Sequence, residues 1–247
     1  MKKIAIALSK GGVGKTTTAV NLSAGLAKAG KTVLIIDTDT QGQVARALGC
    51  ETTAGLAEMI LGESDLQDAI FEARPNLHLL SGGRALAGIK RLITRKDFGG
   101  EQTISEALSP LDGRYDYVII DTAPGWDALG VNVLFYANDI LAPVSLEIMT
   151  LQGLMEFARS MASIQKYRPE LQLRYILPTF LDRRVKKSGE ILGQLTAHYG
   201  EQVCPPIRYS VRLSEAPGYG QSIYEYAPHS AGAEDYQKLT ERIMQDG

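Results

Sequence analysis

The chain has 247 residues, 45% of them hydrophobic, and a formal net charge of −2. That length and apolar content can bury one substantial core, and the near-neutral charge excludes a globally basic nucleic-acid binder, so any such contact has to come from a local patch. Its two cysteines, Cys50 and Cys204, stand far apart with no CxxC or Cys/His grouping, which excludes a disulfide framework, a zinc site and an iron–sulfur cluster held within the chain, and fits a reducing cytosol.

From the amino terminus, the apolar run of Met1–Leu8 stops at Ser9-Lys10-Gly11, too short for a signal-peptide core. It reads as a buried strand, Ile4–Leu8, entering a Gly-rich loop, followed by helical spacing from Thr16 to Ala29 and a second strand at Val33–Asp37. The stretch Thr52–Leu108 is less regular, with one further strand at Leu77–Leu80 among helices. Strands then fall at Tyr117–Asp121, Ile140–Val144, Leu173–Pro178 and Val203–Ile207, and helices at Leu151–Gln165, Ser188–His198 and Ala233–Met244. No run is apolar and long enough to span a bilayer. This alternation predicts an α/β fold: a doubly wound, mostly parallel sheet with helices on both faces. With no linker and no repeat, a single domain over 1–247 is expected.

In such sheets the ligand lies outside the carboxyl ends of the strands. Three sequence-distant loops fall there: Lys10–Thr17, Asp37–Gln41 and Asp121–Trp126. The first, Ser9-Lys10-Gly11-Gly12-Val13-Gly14-Lys15-Thr16-Thr17, is a P-loop between a strand and a helix, with Ser9 where the usual pattern has its first glycine. Glycines let backbone N–H groups close around phosphate oxygens, and the helix adds its positive end. Lys15 is expected on the β- and γ-phosphates, the Thr16 hydroxyl on Mg²⁺, and Thr17 on the α-phosphate. Asp121 ends an apolar strand, as an acid of the magnesium shell should; its plainer reading is a turn or helix-cap acid before Thr122 and Pro124. Asp39 is expected nearer the γ-phosphate, to orient the attacking water, with a shared metal site for Asp37 and Asp39 as the alternative. The candidate metal set is Thr16, Asp121 and Asp39.

These residues resemble the ParA/MinD group of deviant Walker ATPases, and its ParA/Soj branch over essentially the whole chain. Lys10–Thr17 followed by Asn21-Leu22 is similar to the group's opening motif. Asp37-Thr38-Asp39-Thr40-Gln41-Gly42 resembles its second motif, with Thr40 where proline is usual, and Tyr115–Asp121 its third. Val211-Arg212-Leu213-Ser214-Glu215-Ala216-Pro217-Gly218-Tyr219-Gly220 is close to the Soj-type signature near the carboxyl end.

The resemblance implies an ATPase using ATP and Mg²⁺, expected to be slow and stimulated by a ParB-like partner. Lys10 would be the signature lysine, reaching across an ATP-dependent homodimer to the other subunit's phosphates, and Asp39 the acid needed for hydrolysis. It further implies binding to DNA without sequence preference, a nucleoid-associated cytoplasmic location, and segregation of plasmid or chromosome DNA or positioning of other cargo. From the group's layout, Pro206 borders the adenine. Candidate DNA contacts are Arg183, Arg184, Lys186 and Lys187, with Arg208 and Arg212; His229 and Ala231 stand where Soj-like proteins often carry arginines. Two other functions stay open on the same fold: small-molecule chemistry of the dethiobiotin-synthetase kind, and a MinD-like membrane-site regulator. The second would need a basic amphipathic carboxyl-terminal helix, whereas the chain ends in mixed charge. Trp126, the only tryptophan, fits either core packing or an interface anchor.

Overall fold

A computed structural model describes residues 1–147, 150–182 and 184–246. Arg183, one of the candidate DNA contacts, lies outside these described residues. A seven-stranded sheet is built from β1 (Lys2–Ile6), β2 (Val33–Asp37), β3 (Ile70–Arg74), β4 (Leu77–Leu80), β5 (Tyr117–Asp121), β6 (Asp139–Ser145) and β7 (Gln172–Thr179). Its order is β3-β4-β2-β5-β1-β6-β7, parallel throughout except for β3 against β4.

The parallel strands are apolar on both faces because both faces are covered. Every residue of β2 and β5 is buried, and alternation along the strands sorts their side chains into two layers. Ala5, Leu34, Ile36, Val118 and Ile120 pack beneath helices that contribute Ile89, Ile93, Val133 and Phe157. Ile4, Ile6, Ile35 and Ile119 meet the opposite layer, with Leu22 and Leu26 from helix Lys15–Lys28 and Tyr236, Leu239 and Ile243 from helix Ala231–Gln245. The apolar stripe of that last helix is therefore spent in the core, which leaves it no free face for a membrane surface.

Two elements differ from the sequence reading. The edge strand β3 was not anticipated: its residues are half exposed and carry the mixed pattern Ile-Phe-Glu-Ala-Arg, and its signal lies in the turn that follows. There Asn76 takes a left-handed φ of 64° after Pro75, reversing the chain into β4. Conversely, Val203–Ile207 is not a strand. It touches β7 through an isolated bridge at Ile176 and two bonds, Cys204 N–H to the Ile176 carbonyl and Ile207 N–H to the Pro178 carbonyl, each 2.8 Å. Pro205 and Pro206 between them have no N–H to donate, so the ladder cannot continue.

Helix Lys15–Lys28 crosses helix Ala231–Gln245 at Gly25, where an added Cβ would sit 2.3 Å from Thr240 Oγ1 and 2.7 Å from Tyr224 Oη. In an open helix Gly→Ala would stabilise by about 0.5–1 kcal/mol; here the overlap dominates. Gly25→Ala is expected to lower stability by about 1–3 kcal/mol with an unchanged denaturant slope. A urea titration showing a more stable variant would refute the close packing.

Candidate functional site

The carboxyl ends of β1, β5 and β2 finish level, with Ile6 beside Asp121 and Asp37 beside Asp121 in register. Over this edge the P-loop turns into helix Lys15–Lys28. Gly12 and Gly14 have φ of 71° and 88°, a region side-chain-bearing residues avoid. Val13 between them is buried, and its carbonyl accepts the Thr179 hydroxyl at 3.0 Å, so the end of β7 fastens the loop. Thr179 was not anticipated; a hydroxyl closing an apolar strand was its signal.

The two loop lysines behave differently. Lys15 is buried at 7% exposure and donates to the Lys10 carbonyl at 2.9 Å. Burial lowers its pKa from the ordinary lysine value, while Asp121 and Asp39 act in the opposite direction. Lys10 turns outward instead, its ammonium 3.2 Å from Glu147 Oε2 across an exposed contact.

Thr16 donates to Asp121 Oδ2 at 2.7 Å, and the other carboxylate oxygen, Oδ1, is buried without a hydrogen-bond partner. Burial first, and then the neighbouring Asp37, hold the Asp121 pKa well above the usual carboxylate range. A buried carboxylate with an orphaned oxygen, next to a hydroxyl and a second acid, suits a divalent cation. Thr16 and Asp121 would hold magnesium there, and the ion would supply charge compensation for phosphate oxygens. No group of three or more His, Cys, Asp or Glu suited to a metal occurs among the described residues, which fits an ion completed by nucleotide and water.

Asp37 and Asp39 do not share a cage. Asp37 is fully buried and accepts the N–H groups of Asp39 at 2.8 Å and Val44 at 3.1 Å, holding the loop and the start of helix Gln43–Ala47. Burial raises its pKa to about 6. Asp39 stands at the rim, where its Oδ1 accepts the Gln41 N–H at 3.0 Å. It lines a cavity of about 760 Å³ together with Lys15, Thr16, Phe180, Ile207 and Tyr209. Pro206 lies one residue outside that lining.

Lys90 and Asp127 also line the cavity, 2.5 Å apart. Asp127 additionally caps helix Ala128–Tyr136 by accepting the Gly130 N–H at 2.9 Å. Trp126, beside it, is half-buried and packs on Phe157 with ring centroids 5.2 Å apart.

Most of the basic candidates have a carboxylate partner, half-buried for Arg208 and exposed for Arg184, Arg212 and Lys186. Arg208 is enclosed by Asp235 and Glu234, at 2.7 and 2.9 Å. Arg184 pairs with Asp182 at 2.8 Å, Arg212 with Glu215 at 3.2 Å, and Lys186 with Glu190 at 3.9 Å. Lys187 has no carboxylate within salt-bridge distance among the described residues.

Against known proteins, residues 1–173 match the family model AAA_31, an AAA domain. The chain is 37% identical to the chromosome-partitioning ATPase Soj of Thermus thermophilus, over 99% of this chain and 96% of the relative. It is 34% identical to the sporulation initiation inhibitor protein Soj of Bacillus subtilis, over 100% and 99%. The chain belongs to the ParA/Soj family of P-loop ATPases. Among solved structures, it is similar to a Mycobacterium smegmatis protein described as cobyrinic acid a,c-diamide synthase with bound ADP and magnesium. That likeness has a TM-score of 0.85 and 29% identity, covering 99% of this chain and 94% of the other. The family likeness extends over both the P-loop edge and the carboxyl-terminal segment that closes the cavity.

Asp37 binds its proton more tightly in the folded chain than in the unfolded one. The stability tied to the protonated form is complete below about pH 4 and is lost as pH rises through about 6. Between pH 4 and 7 the stability of the wild type is expected to fall by about 3 kcal/mol relative to Asp37→Asn. Urea titrations of the two proteins with parallel pH dependence would refute this.

Proposed function

We propose that the chain is a partition ATPase that works through nucleotide-controlled dimers. ATP with magnesium occupies the cavity, with Lys15 and the P-loop amides on the phosphates and Thr16 and Asp121 on the metal. Two loaded copies close face to face, and the Lys10 of each neutralises charge on the nucleotide of the other. Asp39 orients the attacking water, and a ParB-like partner accelerates hydrolysis and so releases the dimer. While dimeric, the protein holds DNA without sequence preference and so moves plasmid or chromosomal cargo.

The observation that carries this reading is the opposed aim of the two lysines. Lys15 is buried over its own loop, whereas Lys10 leaves the loop and extends to an exposed acid. An exposed pair such as Lys10–Glu147 contributes at most about 1 kcal/mol, so an incoming phosphate can displace it. The names of the Soj relatives support the partition role, and the M. smegmatis neighbour supports an adenine nucleotide with magnesium as ligand.

Lys15→Ala is expected to abolish ATP binding in titration calorimetry, whereas Asp39→Ala keeps it and accumulates the dimer. Lys10→Ala is expected to bind ATP yet remain monomeric by light scattering. Equal loss of ATP binding in the first two, or an unchanged dimer in the third, would overturn these roles.

Binding to random-sequence duplex DNA is expected with ATP, not with ADP, and to weaken steeply with salt as counterion release requires. No binding under any nucleotide, with ATP still bound, would keep the ATPase and turn the reading toward another cargo surface or small-molecule chemistry.

A further inference from the structure

Resting on the reading that ATP occupies the cavity, we propose that Phe180 is the residue on which the nucleotide base stacks. With a φ of 58°, it is one of two residues other than glycine that have a positive φ among the described residues. The other, Asn76, forms the turn into β4 and belongs to a residue type that tolerates this region. A phenylalanine does not, because the left-handed conformation crowds its Cβ against the following carbonyl oxygen. Core packing does not account for it either, since Phe180 is 41% exposed.

The surroundings impose the conformation. On one side of Phe180, the Thr179 hydroxyl donates to the Val13 carbonyl at 3.0 Å. On the other, the Leu181 N–H donates to the Ile207 carbonyl at 3.0 Å, and the Tyr209 N–H to the Leu181 carbonyl at 2.9 Å. These bonds tie Phe180 between the P-loop and the segment 203–209. A Cβ added to Gly14 would stand 3.8 Å from Phe180 Cζ, so the tip of the ring lies against the turn just ahead of Lys15. Strained residues held in this way cluster where a ligand is clamped.

The cavity beside the ring suits a flat heteroaromatic group. The bonds just named hold Ile207 and Tyr209 next to Phe180, and Leu213 and Tyr236 line the same cavity. Polar groups that share this lining point elsewhere: Thr179 to Val13, Tyr236 to the Thr18 hydroxyl at 3.2 Å, and Arg208 to Asp235 at 2.7 Å. A base that enters next to the P-loop therefore meets apolar and aromatic surface, and stacking is the contact this surface offers. The phosphates bind the amides of the same turn that Phe180 touches, which puts the ring within the span of one nucleotide. Fixing the base there also fixes the line of the phosphates toward Lys15 and Thr16.

The test is titration calorimetry with ATP and magnesium, set against magnesium tripolyphosphate, a base-free probe measured by its competition with ATP. The variants are Phe180→Ala, Phe180→Gly and Phe180→Tyr. Phe180→Ala is expected to weaken ATP roughly 10-fold or more, while tripolyphosphate keeps its wild-type affinity. Phe180→Tyr keeps the ring and should retain ATP affinity. Phe180→Gly should weaken ATP as Phe180→Ala does, yet unfold at a higher temperature than Phe180→Ala without ligand, since glycine adopts this φ freely. If Phe180 only supported the P-loop, both ligands would weaken together. A parallel loss of that kind in Phe180→Ala, or an unchanged ATP affinity, would overturn the stacking role and leave the ATPase reading standing. A wild type that binds no ATP would overturn both.

Discussion

Strands β2 and β5 end level, and each ends in an aspartate, so Asp37 and Asp121 are buried next to one another. Two adjacent carboxylates in a low-dielectric interior strongly favour neutralisation or compensation. Each is answered differently. Backbone amides of Asp39 and Val44 satisfy Asp37, which thereby fixes the loop bearing Asp39. Asp121 receives only the Thr16 hydroxyl and keeps one oxygen free. The buried Lys15 lies close enough to influence its titration. The cavity is therefore preorganised for positive charge at one point and for phosphate at the next, before any ligand arrives.

That arrangement explains why the site was legible in the sequence to the extent it was. Apolar strands ending in Asp, and a glycine-rich turn before Lys-Thr, are local patterns whose physical requirements are written in adjacent residues. The parallel strands and principal helices were readable for the same reason: burial on both sheet faces leaves continuous apolar runs. What escaped depended on long-range company. Strand β3 is half exposed and pairs only at the edge, so its composition carries little signal. The segment 203–207 has strand-like residues, but its two prolines remove the donors that a ladder needs. The difference in surroundings between Asp37, held by two amides inside the fold, and Asp39 at the cavity rim became visible only when the amides around them were located.

The same limit applies to charge. A basic run such as Arg184–Lys187 attracts attention because its members are contiguous, yet acids from nearby turns and helices sit against most of them. Arg208 is the clearest instance: Asp235 and Glu234 arrive from a helix more than twenty residues later and hold its Nε and Nη2. Its contribution is the attachment of helix Ala231–Gln245 to the strand edge, not free positive potential. Arg91 and Arg95 were passed over, although helical periodicity sets them on one side of their helix.

Helix Leu86–Arg95 thus has three sides with three different surroundings. Its apolar side is anchored in the layer beneath the sheet, its flank at Lys90 contacts the cap of helix Ala128–Tyr136, and its outer side is uncompensated. Asp127 belongs to the loop that leaves β5 immediately after Asp121, so the acid with the partnerless carboxylate oxygen and the acid facing Lys90 are six residues apart on one short connection. Gly125 within that connection has a φ of 100°, a conformation that gives the loop a hinge point no side-chain-bearing residue would readily adopt. A change in charge at Asp121 therefore has a short covalent path to Lys90. It needs no displacement of the sheet, whose level strand ends must stay fixed for the phosphate site to exist at all.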